Sequence, residues 1–271
     1  MHRDGHRALL AVAACALLVA AAACGRSSAS ASGPAPAPGG RTYTLMQMNL
    51  CLSGLGDCYG KVAYPAALAE AAGLIRRAHP DAVTVSEACG RDVARIARRT
   101  GYHLRFATVI YGGTPFSCIH PGGRGLFGDA VLTAAPIVSA AGRAFAAQSG
   151  PEQRRWLCVT TRGDIEVCTA HLATRDAIEV AANDGQCPEL AAILAGRPAA
   201  RAVIFGGDVN RLPTCAPAGF WARTDASARQ APGLQQVYGS GALRSPAAVV
   251  LPFARSDHDV LLVRAQLGRA P

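Results

Sequence analysis

Apolar positions recur along this chain with two periods, and their alternation sketches a fold before any chemistry is considered. Thr42–Leu50 reads as a strand, with Tyr43, Leu45 and the methionines in an extended run. Pro65–Ala78 follows the other period: Leu68, Ala72 and Ile75 return at helical spacing behind a proline suited to a first turn. Ala82–Val85 is a short apolar strand, Asp92–Arg99 a helix, and Tyr102–Tyr111 extended. Asp129–Thr133 and Ile137–Ser139 flank a proline turn. Arg155–Thr161 and Asp164–Ala170 are β-rich runs around Arg162-Gly163, a hairpin signal. Glu189–Ala195 reads as a helix, Ala202–Phe205 as a buried strand and Val260–Leu267 as a last strand. Strands alternating with helices, plus one antiparallel hairpin, predict an α/β layered fold with a mixed sheet. No internal repeat or second low-complexity break divides residues 41–271, which read as one domain.

The N-terminus departs from this pattern. His2, Arg3, His6 and Arg7 precede an unbroken apolar run, Ala8–Ala23, that is short for a membrane span and suits a signal segment. Ala21-Ala22-Ala23-Cys24 resembles a bacterial lipobox, with Ala21 where leucine is usual. Residues 1–24 are therefore expected to direct export, with Cys24 a lipid-anchor site or, alternatively, simple cleavage nearby. Residues 25–40, rich in Ser, Ala, Pro and Gly, read as a linker.

Half of the 271 residues are hydrophobic, which excludes a disordered chain, and the length excludes a miniprotein held by staples alone. Lys+Arg number 27 against 18 Asp+Glu, a formal charge of +9. That excess fits anionic partners, but Lys61 is the only lysine, and an Arg- and Ala-rich coding bias explains it equally well. Ten cysteines without a C-x-x-C pair fit an exported chain with disulfides. Setting aside Cys15 and Cys24 leaves eight. Cys51–Cys58 reads as a local staple, and Cys158–Cys168 as another because both lie equidistant from Gly163. Cys89–Cys118 and Cys187–Cys215 then follow by elimination, with free buried cysteines as the alternative.

Polar residues at strand ends carry the chemistry. Asn49 closes the first strand and Glu87 follows the second. His171 follows Val167–Ala170, while Asp208 and Asn210 follow Val203–Gly207. Asp257 and His258 precede the last strand. Each alone has a structural explanation, as a cap or a hydrogen-bonded buried group. Gly206 and Gly207 suggest close backbone approach to a ligand. Together the set comprises hard-cation ligands, proton carriers and amide donors.

In order, M-N-L (48–50), S-E-A (86–88), G-D-A-V-L-T-A-A-P-I (128–137), T-A-H-L (169–172), G-G-D-V-N (206–210) and S-D-H-D-V (256–260) resemble the endonuclease/exonuclease/phosphatase superfamily. The resemblance spans about residues 42–267. It implies a four-layer α/β/β/α sandwich of two packed mixed sheets flanked by helices, with the site at one end. It implies that Asn49 and Glu87 bind Mg²⁺, or Mn²⁺ or Ca²⁺, with Asp257 near the same site. Asp208 and Asn210 would position water and a phosphate oxygen, and His171 would contact the phosphate or the leaving oxygen. His258 would act as general base or offset transition-state charge. One departure stands out: Gln235, in Leu234–Tyr238, occupies the place where the family carries an aspartate that orients the terminal histidine. Asp225 and Asp259 are candidate substitutes.

Three readings follow. The first is an exported or surface-anchored divalent-metal-dependent phosphodiesterase, a nuclease acting on nucleic acid and in its leading form a DNA endonuclease. The second keeps the chemistry on phospholipid head groups or small phosphoesters, which the low aromatic content, with Trp156 and Trp221 the only tryptophans, disfavours. The third, motivated by Gln235, is a weakly active or non-catalytic surface lipoprotein. No protein partner is implied and a monomer is expected, contacting a membrane only through the N-terminal lipid.

Overall fold

The computed structural model describes residues 40–268 except 55–57, 59, 61–63 and 199–200. The expected signal segment, the Cys24 lipid site and all of the linker but Gly40 lie outside the described residues. In chain order the elements are β1 (Thr42–Asn49), α1 (Ala66–Ala78), β2 (Ala82–Cys89), α2 (Gly90–Thr100), β3 (His103–Thr108), β4 (Ile110–Tyr111), β5 (Thr114–Pro115), β6 (Phe127–Thr133) and β7 (Ile137–Ala144). They continue with β8 (Glu152–Gln153), β9 (Arg155–Thr161), β10 (Ile165–Ala170), α3 (Val180–Ala195), β11 (Ala202–Asp208), β12 (Trp221–Thr224), β13 (Gln235–Gly239), β14 (Leu243–Leu251) and β15 (Val260–Leu267).

Two six-stranded sheets, ordered β14-β15-β1-β2-β6-β3 and β12-β13-β11-β10-β9-β7, form the frame. Both are mixed: β1 runs parallel to β2 and β10 to β11, and their other pairings are antiparallel. The inner faces meet in a layer of Leu45, Val131, Leu157, Val159, Val167, Ile204, Val237, Leu261 and Val263. The outer face of the first sheet carries α1 and α2 through Leu68, Ile75, Val93 and Ile96. The outer face of the second carries α3 through Leu190 and Leu194. This is the α/β/β/α sandwich that the motif order implied.

The four expected disulfides are all present: Cys51–Cys58, Cys89–Cys118, Cys158–Cys168 and Cys187–Cys215. Cys158 and Cys168 stand directly opposite each other across the β9–β10 hairpin.

Three departures have physical causes. The α3 helix begins nine residues before the expected Glu189, running through Gly185 and Pro188. Pro188 removes an intrahelical hydrogen bond, but tertiary bonds hold this segment. Asn183 Nδ2 donates to the carbonyls of Ala173 (2.6 Å) and Val209 (3.0 Å), and Gln186 Oε1 accepts from Ala173 N–H at 2.8 Å. The second strand does not stop at Val85 but continues to Cys89, with a register shift between Val85 and Ala88 that absorbs Glu87. The edge strand β14 lacks a strand pattern in the sequence because it holds Pro246, which sits where its pairing with β15 skips between Arg244 and Ala247.

Gly206 and Gly207 serve the sheets rather than a ligand. A Cβ on Gly206 would lie 2.3 Å from Thr84 Oγ1 in the facing sheet, and one on Gly207 2.2 Å from the Ala170 carbonyl. Without these Cβ atoms the two sheets close at Gly206, and β11 packs tightly on its neighbour β10 at Gly207, just beneath Asp208.

Candidate active site

At one end of the inter-sheet layer the apolar residues give way to polar ones. Thr84 Oγ1 donates to Gln47 Oε1 (2.6 Å), Gln47 Nε2 donates to Gln235 Oε1 (3.3 Å), and Gln235 Nε2 donates to Asp225 Oδ2 (3.3 Å). All four residues are buried, and the chain of bonds crosses from one sheet to the other. Each of these four side chains has a polar partner, as low-dielectric burial requires.

Above this chain lies a cleft of about 540 Å³ lined by Glu87, His171, Asp208, Asn210, Asp257 and His258. Asn49, at the end of β1, donates from Nδ2 to Glu87 Oε1 (2.8 Å) and Asp208 Oδ2 (3.1 Å), tying the two sheets together. Its Oδ1 accepts from Cys51 N–H at 3.0 Å, which orients the amide. Glu87 has φ 55°, a left-handed value for a residue with a Cβ, and sits in the β2 irregularity that turns its carboxylate into the cleft. Burial pushes its pKa up to about 7 against the Asn49 hydrogen bond, with Asp257 and Asp208 adding repulsion.

His258 is held between two carboxylates. Its Nδ1 lies 2.9 Å from Asp257 Oδ1 and its Nε2 3.2 Å from Asp208 Oδ2. Burial would lower its pKa, but the two carboxylates outweigh burial and raise it to about 10. The Nε2 contact is close enough for an ion pair but off the axis of an N–H bond, so this buried donor has no in-line acceptor among the described residues. Burial would raise the Asp208 carboxyl, but His258 and the Asn49 amide hold it well below the usual range.

His171 is set differently. Burial, with Arg154 nearby, lowers its pKa to about 3. Asn210 Nδ2 lies 3.0 Å from His171 Nε2 and donates to the Leu172 carbonyl at 2.9 Å. The network therefore assigns a neutral ring whose Nε2 accepts and whose Nδ1 carries the proton. Asn210, at φ 51°, is fixed by its N–H donating to Asp208 Oδ1 at 3.1 Å. Two histidines in one cleft thus sit in opposite charge states.

All seven expected residues converge here, but the orientation of His258 differs from the expectation. Gln235 does not hold the imidazole, because its amide is engaged by Asp225 and the Asp259 carbonyl. Asp259 is turned to the N–H groups of Arg229 and Phe253, and Asp225 to Gln235. The Nδ1 partner is Asp257, its neighbour in the chain.

Three lining or supporting groups were not anticipated. Asp129, within the G-D-A-V motif, accepts the backbone N–H of Glu87, and burial raises its pKa to about 8. Arg154 is buried beside His171, with NH1 2.9 Å from Glu152 Oε1 and NH2 3.6 Å from Glu179 Oε2. The only signal for Asp129 was its place in the motif. Arg154 and Glu152 precede a strand without any pattern of their own.

Cys58 Sγ lies 3.0 Å from Glu87 Oε2, but Cys58 is bonded to Cys51 and neither sulfur can act as a thiolate ligand. The remaining donors, the carboxylate oxygens of Glu87 and Asp257, are of the kind a hard divalent cation prefers, whereas the Asn49 amide oxygen, expected as a ligand, is turned to the Cys51 N–H and its NH2 group faces Glu87 and Asp208. The raised pKa of Glu87 among other carboxylates marks an electrostatic debt that such an ion would relieve.

Residues 57–258 match the Endonuclease/Exonuclease/phosphatase family. No curated protein matches the chain. Among solved structures, an endonuclease/exonuclease/phosphatase from Beutenbergia cavernae is 20% identical, with TM-score 0.61 over 85% of this chain and 73% of that one. The human Nocturnin catalytic domain with bound sulfate anion is 17% identical, with TM-score 0.61 over 83% and 94%. D. rerio TDP2 complexed with a single-strand DNA product is 15% identical, with TM-score 0.59 over 83% and 98%. These likenesses establish a shared fold.

Proposed function

The chain belongs to the endonuclease/exonuclease/phosphatase family, and from that premise we propose that it is a divalent-metal-dependent phosphodiesterase acting on nucleic acid. The observation that carries the reading is the buried Asn49–Glu87–Asp208–His258–Asp257 cluster, which ends in a histidine donor with no in-line acceptor.

Glu87 and Asp257, with Asn49 orienting Glu87, would hold Mg²⁺, Mn²⁺ or Ca²⁺. When bound there, such an ion would supply positive charge against the negative charge that develops on the phosphoryl oxygens. The chain's own residues do the rest. Asp208, anionic across the working range, accepts a proton from water as the water oxygen bonds to phosphorus. The bond to the ester oxygen breaks, and His258 Nε2–H supplies the proton that oxygen needs. Neutral His171 and the Asn210 amide orient the phosphate, and buried Arg154 adds a fixed positive charge beside them. In this reading Gln235 does not signal lost catalysis, since Asp257 supplies the carboxylate against Nδ1.

Nucleic acid is favoured by the formal charge of +9 and by the single-strand DNA product held by the TDP2 relative. The four disulfides fit an oxidising compartment, and export with a lipid anchor at Cys24 completes the reading. The protein acts there as a monomer.

Purified protein is expected to cleave plasmid DNA or single strands with Mg²⁺, and EDTA is expected to stop it. No cleavage of DNA or RNA with any divalent metal would remove the reading. One observation favours phospholipid instead: Ile178 and Leu212, on the loops after His171 and Asn210, are 71% and 70% exposed. Release of phosphocholine from liposomes, without nuclease activity, would place lipid first.

A further inference from the structure

A second concavity, of about 590 Å³, opens between the edge strands of the two sheets. Among the described residues β3 pairs only with β6, and β7 only with β9, so the sandwich is unclosed on this side. Strand alternation decides what faces the gap. Leu104 and Phe106 pack toward α2, whereas Ala107 joins the inter-sheet layer, which places Arg105 on the inner face of β3. Trp156 packs toward α3 and Leu157 inward, which places Arg155 on the inner face of β9. Both arginines line the groove, where their next inward neighbours along the strands, Ala107 and Leu157, are aliphatic. Neither is paired with a carboxylate among the described residues. Arg155 donates only to the neutral Gln153 Oε1, at 3.0 Å.

The groove adjoins the catalytic cleft. Ile110 and Arg155 line the groove, while the adjacent Tyr111 and Arg154 line the cleft. The short β4–β8 pairing, Ile110 with Gln153 and Tyr111 with Glu152, forms the ridge between them. On that ridge Tyr111 is 44% exposed, with its ring supported by Phe116 at a centroid distance of 5.5 Å. A positively charged groove beside a supported aromatic ring is the arrangement that binds a single nucleic-acid strand, its phosphates on the arginines and a base against the ring.

The geometry points to a track for single-stranded nucleic acid along the open β3/β7 edge, with Arg105 and Arg155 holding phosphates of a strand whose scissile diester lies in the cleft. This rests on the nuclease reading, so its test has one arm that needs no catalysis. In EDTA, binding of a fluorescent 20-nucleotide oligothymidylate to the full protein is followed by anisotropy across salt concentrations. The Arg105→Glu/Arg155→Glu double variant is expected to bind about 10–100-fold more weakly. The slope of log affinity against log salt is expected to fall by about 1.4, for two phosphates in a single strand. Hydrolysis of bis(p-nitrophenyl) phosphate with Mg²⁺ is expected to be unchanged, since that diester reaches only the cleft.

Unchanged affinity and slope would overturn the track and leave the arginines as guards against edge-to-edge pairing. Equal binding of a duplex, with the same loss on charge reversal, would overturn the single-strand assignment. Wild-type protein inert toward the small diester would overturn the catalytic reading, and the binding arm would still judge the groove.

Discussion

The middle and the end of the inter-sheet layer are built from the same strands, yet they follow opposite rules. In the middle, Leu45, Val131, Val159, Val167, Ile204, Val237 and Val263 meet without polar atoms. At the end, Asn49, Gln47, Asp208, Asp225 and Gln235 are buried just as deeply, and His258 is buried beside them. Left-handed backbone conformations of side-chain-bearing residues also gather there, at Cys51, Glu87 and Asn210. Burying ionisable groups and strained residues costs stability, and the apolar middle and helix-covered faces must offset it. The contrast teaches where to look for each property: folding free energy is concentrated in the middle and reactivity at the end.

The largest way to test this division is His258→Ala. It is expected to lower kcat on a phosphodiester about 10³-fold, within the range for general acid–base groups, while the melting temperature moves by a few degrees at most. A collapse of the fold instead would break the division. Ile204→Ala is its mirror image, costing about 2–5 kcal/mol in denaturant unfolding while kcat per folded molecule is retained.

Paired disulfide removals sharpen the contrast. Cys158→Ser/Cys168→Ser and Cys51→Ser/Cys58→Ser should each cost about 2–4 kcal/mol. Only the second, which loosens the loop against Glu87, should lower kcat. Gln235→Leu should cost about 1–3 kcal/mol by leaving Gln47 and Asp225 with lost partners, and double-mutant cycles with Gln47→Leu should reveal the coupling.

The smallest effect is a pH slope. Burial raises the Asp225 pKa to about 6, against the hydrogen bond from Gln235. The folded state therefore keeps a proton that the unfolded chain has released, and stability falls as pH rises through this window. Between pH 5 and 7, metal-free wild type should lose about 1 kcal/mol more than Asp225→Asn. Parallel curves would mean that Asp225 titrates normally and that the end is wetter than its burial implies.

Legibility in the sequence followed the same division. The strands of the middle could be read because continuous apolar runs have a single physical use. The polar β13, with Gln235 toward the facing sheet and Gln236 on the opposite side beside Tyr238, carries no such run and was visible only through the motif order. Gly185 and Pro188 hid the first half of α3, because the bonds that hold it come from Asn183 and Gln186 to distant loops. The seven site residues were legible because strand ends and motif order mark them. The roles of Asp257 against His258 and of Asp129 beneath Glu87 were not. They depend on side-chain direction and on a strand irregularity, and spacing encodes neither. Arg154 was invisible for a similar reason, since its place beside His171 and its pairing with Glu152 and Glu179 depend on segments brought together by the fold.

The bonds from Thr84 through Gln47 and Gln235 to Asp225 also act as an alignment pin. The β1 strand turns Leu45 and Gln47 toward the facing sheet and Met46 and Met48 toward the helices. A slip of one residue against its neighbours would exchange these faces. It would set a thioether against the Gln235 amide, bury Gln47 among aliphatic side chains and swing Asn49 away from Glu87. Each stranded polar group would cost about 1–3 kcal/mol. Misaligned sheets are thereby rejected by the same contacts that seat the catalytic end, so a chain that has closed its sandwich has also proofread its active site.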